Sequence, residues 1–157
     1  MAVETFDDPE QEAEGIGKWL AAQIGEGVQP HEIGVFVRSN RELRRARNAV
    51  RRVDVQAIEL TDRIEVTPGK VSIGTMHLAK GLEFRAVAVM ACDDEVIPLQ
   101  ERIENVADEA DLEDVYNTER HLLYVACTRA RDHLLVTGVS PASEFIEDLK
   151  GWSERGL

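Results

Sequence analysis

The 157 residues include only two cysteines, Cys92 and Cys127. They are too few and too far apart for a disulfide framework or a metal cluster, so two buried thiols are expected. Aromatic residues amount to 5% of the chain, which leaves Val, Ile, Leu and Ala to build the core. No apolar run approaches the ~20 residues that a membrane-spanning helix requires. The opening stretch Met1-Ala2-Val3-Glu4-Thr5-Phe6-Asp7-Asp8 lacks the basic-then-apolar pattern of a secretory signal. A cytoplasmic protein with no membrane partner is therefore expected. A phosphate-binding loop is missing too: Pro68-Gly69-Lys70-Val71 has neither the second glycine nor the hydroxyl residue after the lysine. No Asp-Glu pair closes an apolar strand to hold Mg²⁺, Asp93-Asp94 coming nearest, and no metal site is expected.

What is present is strongly segregated charge. The formal net charge is −12, yet residues 93–119 hold eleven acids against Arg102 alone, whereas residues 38–52 hold seven arginines against Glu42 alone. An averaged charge hides this polarity. The acidic stretch reads as a solvated connector. The arginine stretch has three open readings: tracking nucleic-acid phosphates, pairing with the acidic stretch, or simple solvation.

Length implies one domain, residues 1–157, large enough to bury a core. Asp8-Pro9 opens a helix whose Ala13, Ile16, Leu20 and Ile24 share a face and which Gly25 and Gly27 end. Ile33-Gly34-Val35-Phe36-Val37 reads as a buried strand. Ser39 or Asn40 caps a helix with Leu43, Ala46 and Val50 inward. Val53, Val55 and Ala57 alternate as a strand does. Val71-Ser72-Ile73-Gly74-Thr75 and the continuous run Ala86-Val87-Ala88-Val89-Met90-Ala91 are two further strands, the latter covered on both faces. A helix over 115–130, a strand at Leu134-Leu135-Val136-Thr137 and a helix capped by Ser140-Pro141 complete the chain. Alternating strands and helices predict a parallel α/β sheet flanked by helices. Ligands in such sheets bind beyond the carboxyl ends of the strands. That rule nominates Arg38-Ser39-Asn40, the segment 75–83, and the region of Arg129.

Three stretches resemble motifs of the C-terminal motor domain of superfamily-one DNA helicases of the UvrD, Rep and PcrA type. Ile33-Gly34-Val35-Phe36-Val37-Arg38-Ser39-Asn40 looks like motif IV. Gly74-Thr75-Met76-His77-Leu78-Ala79-Lys80-Gly81-Leu82-Glu83-Phe84 matches motif V, T-x-H-x-A-K-G-L-E-F. Glu119-Arg120-His121-Leu122-Leu123-Tyr124-Val125-Ala126-Cys127-Thr128-Arg129-Ala130 matches motif VI, R-x-L-x-Y-V-x-x-T-R-A. The resemblance spans about residues 4–140.

It implies a RecA-like fold that lacks its own phosphate-binding loop and completes an ATP site contributed by an N-terminal RecA-like domain, which would also hold Mg²⁺. By the same resemblance Arg38 and Arg129 reach the γ-phosphate as catalytic arginines, Gly81 and Glu83 contact the nucleotide, and Thr75 and His77 contact single-stranded DNA. Permanently charged, forked guanidinium suits the first task, and hydroxyl and imidazole groups suit the last. Two departures stand out. Val37 occupies a position where the family has an aromatic for base stacking, and only about 30 residues separate Asn40 from Val71, so the family's large accessory insertion is absent or reduced. The alternative to a motor half is a non-catalytic scaffold or regulator that kept the fold. A small Rossmann-like enzyme ranks last, because Arg38-Ser39-Asn40 stands where its glycine-rich turn belongs.

Overall fold

The computed structural model describes residues 1–61 and 65–154, with side chains up to Gly151. In chain order its elements are β1 (Ala2–Phe6), α1 (Pro9–Gly25), β2 (Ile33–Val37), α2 (Leu43–Arg51), β3 (Gln56–Glu59), β4 (Lys70–Thr75), β5 (Phe84–Val89), α3 (Gln100–Glu104), α4 (Glu109–Cys127), β6 (Ala130–Val139) and α5 (Glu144–Glu154). Single 3-10 turns at Pro30–Glu32, Asn40–Glu42 and Met76–Leu78 join them. The six strands form one sheet in the order β1-β6-β5-β2-β4-β3, every neighbouring pair parallel. This is the α/β architecture that the alternation of elements predicts.

Side-chain alternation along the strands divides the interior into two layers. Ile33, Val35 and Val37 of β2 and Ala86 and Ala88 of β5 join Ile16, Leu20, Ala46 and Val50 beneath α1 and α2. Phe36, Val87, Val89 and Val136 face the other way, onto Leu123 and Ala126 of α4 and Phe145 and Ile146 of α5. β2 is buried along its whole length, and that is why it reads as an unbroken apolar run. Cys92 and Cys127 are free and buried, and burial pushes the Cys127 thiol up to about 12 and that of Cys92 well above its usual value. Both stay protonated and unreactive at neutral pH.

Several boundaries differ from the sequence reading. β1 was not expected. It is an edge strand with only Val3 and Phe6 half-buried, so it carries little apolar signal. β3 begins at Gln56, leaving Val53 and Val55 in the turn after α2. Ser39 makes no backbone capping bond; its hydroxyl donates to Glu42 at 2.6 Å. α5 starts at Glu144, where Ser143 rather than Ser140 accepts from the Phe145 N–H at 3.2 Å. The acidic stretch is not a plain connector. Asp108 caps α4 by accepting from the Asp111 N–H at 2.9 Å. Glu109 and Asp111 lie in the first turn, where the helix dipole favours negative charge.

The arginine stretch resolves one residue at a time. Arg45 bridges Glu12 and Asp93, each at 2.6 Å, and fully buried Glu12 also accepts from the Ala91 N–H and the Thr137 hydroxyl. Arg41 pairs with Glu101, Arg47 with Glu59 and Arg52 with Glu10. Arg44 and Arg51 are exposed. Among the described residues, pairing with the acidic stretch thus holds for Arg41 and Arg45, and for Arg38, which pairs with Glu119.

Where β6 passes the segment after β5, the Cys92 N–H donates to the Thr137 carbonyl at 3.0 Å. A Cβ on Gly138 would stand 2.5 Å from the Cys92 carbonyl oxygen. Gly138→Ala is expected to cost about 1–3 kcal/mol through this backbone overlap, read as a lower urea midpoint at unchanged slope. A midpoint equal to wild type would contradict the close approach.

Candidate functional site

All strands run the same way, so each nominated residue falls on one of two sheet edges. Arg38 follows β2 and Thr75 ends β4, placing both at the carboxyl edge, with His77 in the turn just after. Glu83 immediately precedes β5 and Arg129 immediately precedes β6, placing both at the amino edge. There the Phe84 N–H donates to the Arg129 carbonyl at 2.9 Å. The expectation that all three segments gather beyond the carboxyl ends of the strands therefore fails for Arg129. The reason is the direction of α4, which runs back across the sheet and delivers the residues at its end to the start of β6. Residues 76–83 make the same crossing beside it, so one groove connects the two edges.

At the carboxyl end of that groove Glu119, 0% exposed, gathers three segments. Arg38 donates to it in a fork, Nε to Oε1 at 2.8 Å and Nη2 to Oε2 at 2.7 Å. Arg102 Nη1 donates to Oε2 at 3.0 Å, and the Leu99 N–H donates to Oε1 at 2.6 Å. Burial alone would raise the Glu119 carboxyl. Hydrogen bonds from Arg38, Leu99 and Arg102, with the Arg38 charge, hold it below the usual glutamate value. The Arg38 side chain is 5% exposed and committed to this fork. Its guanidinium is thus paired within the domain, where the sequence reading expects it to reach a γ-phosphate. About 12 Å of helix axis also separate Glu119 from the end of α4 at 1.5 Å per residue. Val37, fully buried in β2, is likewise no stacking position in this fold.

The groove itself is a cavity of about 570 Å³ between the turn at 76–81 and the exposed side of α4. Met76, Leu122 and Val125 give it an apolar floor, and His77, Lys80, Arg102, His121 and Arg129 its polar rim. Among the described residues no carboxylate lines it. Arg129 is half-buried at its amino end: Nε donates to the Val125 carbonyl at 3.1 Å and Nη2 to the Thr128 hydroxyl at 3.1 Å. Those bonds anchor the guanidinium on the last turn of α4, and among the described residues no carboxylate pairs with it. His77, exposed at the other end, has its imidazole pushed below the usual value by partial burial and by the Arg38 and Arg102 charges, against the pull of Glu119. It is therefore chiefly neutral at pH 7.

Gly81 lines the groove with φ at +84°, and no atom lies within 4 Å of where its Cβ would be. Its requirement is the left-handed backbone rather than close approach. Thr75 is half-buried at the end of β4 and does not line the groove. Glu83 is exposed in a separate cleft of about 240 Å³, with His31, Arg85 and Arg131 among its neighbours. The structure thus gathers His77, Gly81 and Arg129 in one groove, sets Thr75 and Glu83 beside its two ends, and withdraws Arg38 into the interior.

Glu119 and Arg102 were not singled out in the sequence, although both left a trace. Glu119 opens the stretch quoted for motif VI, and Arg102 is the lone base among eleven acids. Among the described residues, no cluster of His, Cys, Asp or Glu could hold a metal ion, and no helix is long and apolar enough to cross a membrane.

Removing the Glu119 charge leaves Arg38 buried and unpaired, so Glu119→Gln is expected to lower stability at pH 7 by about 3 kcal/mol. Because the folded carboxyl titrates below the unfolded one, its stabilisation is complete above the ordinary glutamate value and is lost as pH falls through the folded value. Urea unfolding at pH 7 and pH 3 should show the gap between variant and wild type shrinking at the lower pH. A gap independent of pH would contradict the assignment.

Comparison with known proteins follows the same residues. The sequence model of the UvrD-like helicase C-terminal domain matches residues 55–140, a span that contains the groove-lining turn and α4 but not Arg38. The ATP-dependent DNA helicase PcrA of Bacillus subtilis is 32% identical over 104 residues, covering 58% of this chain and 13% of PcrA. The ATP-dependent DNA helicase Rep of Buchnera aphidicola is 33% identical over 88 residues, covering 56% of this chain and 12% of Rep. The matched region thus spans only about an eighth of these relatives' length. A crystal structure titled as the C-terminal domain of a possible DNA helicase from Lactobacillus plantarum superposes with a TM-score of 0.62 at 24% identity, over 92% of this chain and 76% of that one. At that identity the likeness is one of fold.

Proposed function

This chain belongs to the UvrD-like helicase C-terminal domain family, and from that premise we propose that it is the second RecA-like half of an ATP-driven DNA motor. The observation that carries the reading is Arg129, anchored on the last turn of α4 in a groove whose lining, among the described residues, holds no carboxylate. An N-terminal RecA-like domain would supply the phosphate-binding loop and the Mg²⁺ ligands, since among the described residues no cluster suits a metal.

The chemistry ATP supplies in such a site is phosphoryl transfer to water, in which negative charge spreads over the γ-phosphate oxygens. Arg129 is suited to stabilise that charge from the open side of the cleft: its position is fixed by two hydrogen bonds before any ligand arrives. Glu83, exposed at the same sheet edge, is available to accept from a ribose hydroxyl, and Gly81 shapes the turn that leads to it. Thr75 and His77 stand at the opposite edge, where single-stranded DNA would lie across the domain. Arg38 is assigned no phosphate contact. Its part is to hold α4 through Glu119. The scaffold alternative gains nothing from a carboxylate-free arginine at the groove end.

In the longer polypeptide, Arg129→Ala should lower DNA-stimulated ATP turnover by about 10³-fold or more while leaving oligonucleotide affinity within about twofold. Near-normal turnover in that variant would remove Arg129 from the catalytic role. The chain of 157 residues, purified alone, should hydrolyse no ATP in a phosphate-release assay with or without DNA. Robust turnover there would refute the divided site.

A further inference from the structure

A buried charged cluster built on Glu119 stands beside His77, yet the proposed function uses it only as support. Of its members Arg38 is enclosed and Glu119 is fully buried, whereas the Arg102 side chain remains 38% exposed and lines the groove. One nitrogen, Nη1, is taken by Glu119 at 3.0 Å. Nε and Nη2 make no hydrogen bond among the described residues, so two nitrogens of a guanidinium held at one end stay available to a ligand. Arg102 is the lone base in an acidic stretch, and it pairs there with Glu119 while lining the groove.

We propose that Arg102 is a phosphate-contacting residue for single-stranded nucleic acid at the carboxyl edge of the sheet, and that Glu119 is its positioning residue. This rests on the reading of the domain as a DNA-motor half. The ligand is a phosphodiester backbone because the groove offers donors without a base-reading pattern: Arg102, neutral His77, and Lys80 beyond them. A nucleotide phosphate is the other source of that chemistry, and the geometry separates the two. Arg102 bonds to Glu119, while Arg129 lies past the end of α4, more than two helical turns further on. Contacts of this kind fix a strand's path without selecting its sequence.

The test is fluorescence anisotropy of labelled dT16 and dA16 with the 157-residue chain, titrated across NaCl concentrations, for wild type, Arg102→Gln, Arg102→Lys and Arg44→Ala. Glutamine can still donate to Glu119, so the fold is preserved while the charge is lost; thermal unfolding midpoints check this. Arg44 is exposed on α2 and controls for net charge. Each single-strand phosphate that is neutralised contributes about 0.7 to the slope of log K against log salt. Arg102→Gln should weaken binding about tenfold at low salt and reduce the slope by about 0.7, equally for both oligonucleotides. Arg102→Lys should restore the slope, and Arg44→Ala should leave it unchanged. Excess ATP should not displace the oligonucleotide.

If wild type binds and the Arg102→Gln slope is unchanged, or if Arg44→Ala lowers it equally, the assignment of Arg102 is overturned while the motor reading stands. Displacement by ATP would assign the site to a nucleotide instead. Wild type that binds neither oligonucleotide overturns both.

Discussion

Three parts of the chain that are remote in sequence meet on one carboxylate. Glu119 takes a forked guanidinium from the end of β2, a second arginine from α3 and a backbone N–H from Leu99. Each partner alone would face a penalty: two arginines side by side repel, and an isolated buried carboxylate would protonate. Together they lock the middle of α4 against the carboxyl end of β2, a central strand of the sheet. Hydrophobic packing by Leu123 and Ala126 holds the helix to the layer below, but apolar contact is non-directional. The ion cluster supplies what packing does not, namely the rotational and axial setting of the helix.

From that setting follows the layout of the groove. α4 and the turn at 76–81 cross from one sheet edge to the other side by side, so the position of Arg129 is fixed relative to that of His77 by a single rigid element. The two ends have different electrostatic characters. Around His77 two arginines share the single carboxylate of Glu119; around Arg129, among the described residues, nothing acidic lines the wall. The same helix therefore presents a partly neutralised site at one end and a bare cation at the other.

β2 and β5, covered on both faces, were legible from their apolar runs, and β4 from its β-branched Val71, Ile73 and Thr75 after the turn at Pro68-Gly69. β1 was not, because a one-faced edge strand of five residues leaves only Val3 and Phe6 half-buried. The motif V and motif VI stretches were legible as candidates, and the structure brings His77, Gly81 and Arg129 into one groove. Arg38 illustrates what sequence cannot carry. Its residue type argues for solvent, and the partner that buries it lies 81 residues away. Direction misled in a second way: the rule about carboxyl ends of strands applies to residues that follow strands, whereas Arg129 and Glu83 precede them. Gly81 is needed for its left-handed backbone angle rather than for close approach, which its residue type alone does not distinguish.

The order of the sheet also constrains how the molecule assembles itself in time. β6 lies between β5 and β1, and its pairing with β1 sets Ala2 opposite Leu135. Until β6 has been synthesised, β1 has no neighbour in the sheet at all, and β5 presents an open edge. Early structure must therefore come from β2, β4 and β5, whose partners lie closer along the chain, with β6 inserted afterwards as the keystone strand. Such late, long-range closure slows folding. It also makes any nascent chain that stops short of residue 130 two unequal pieces rather than a smaller version of the same domain.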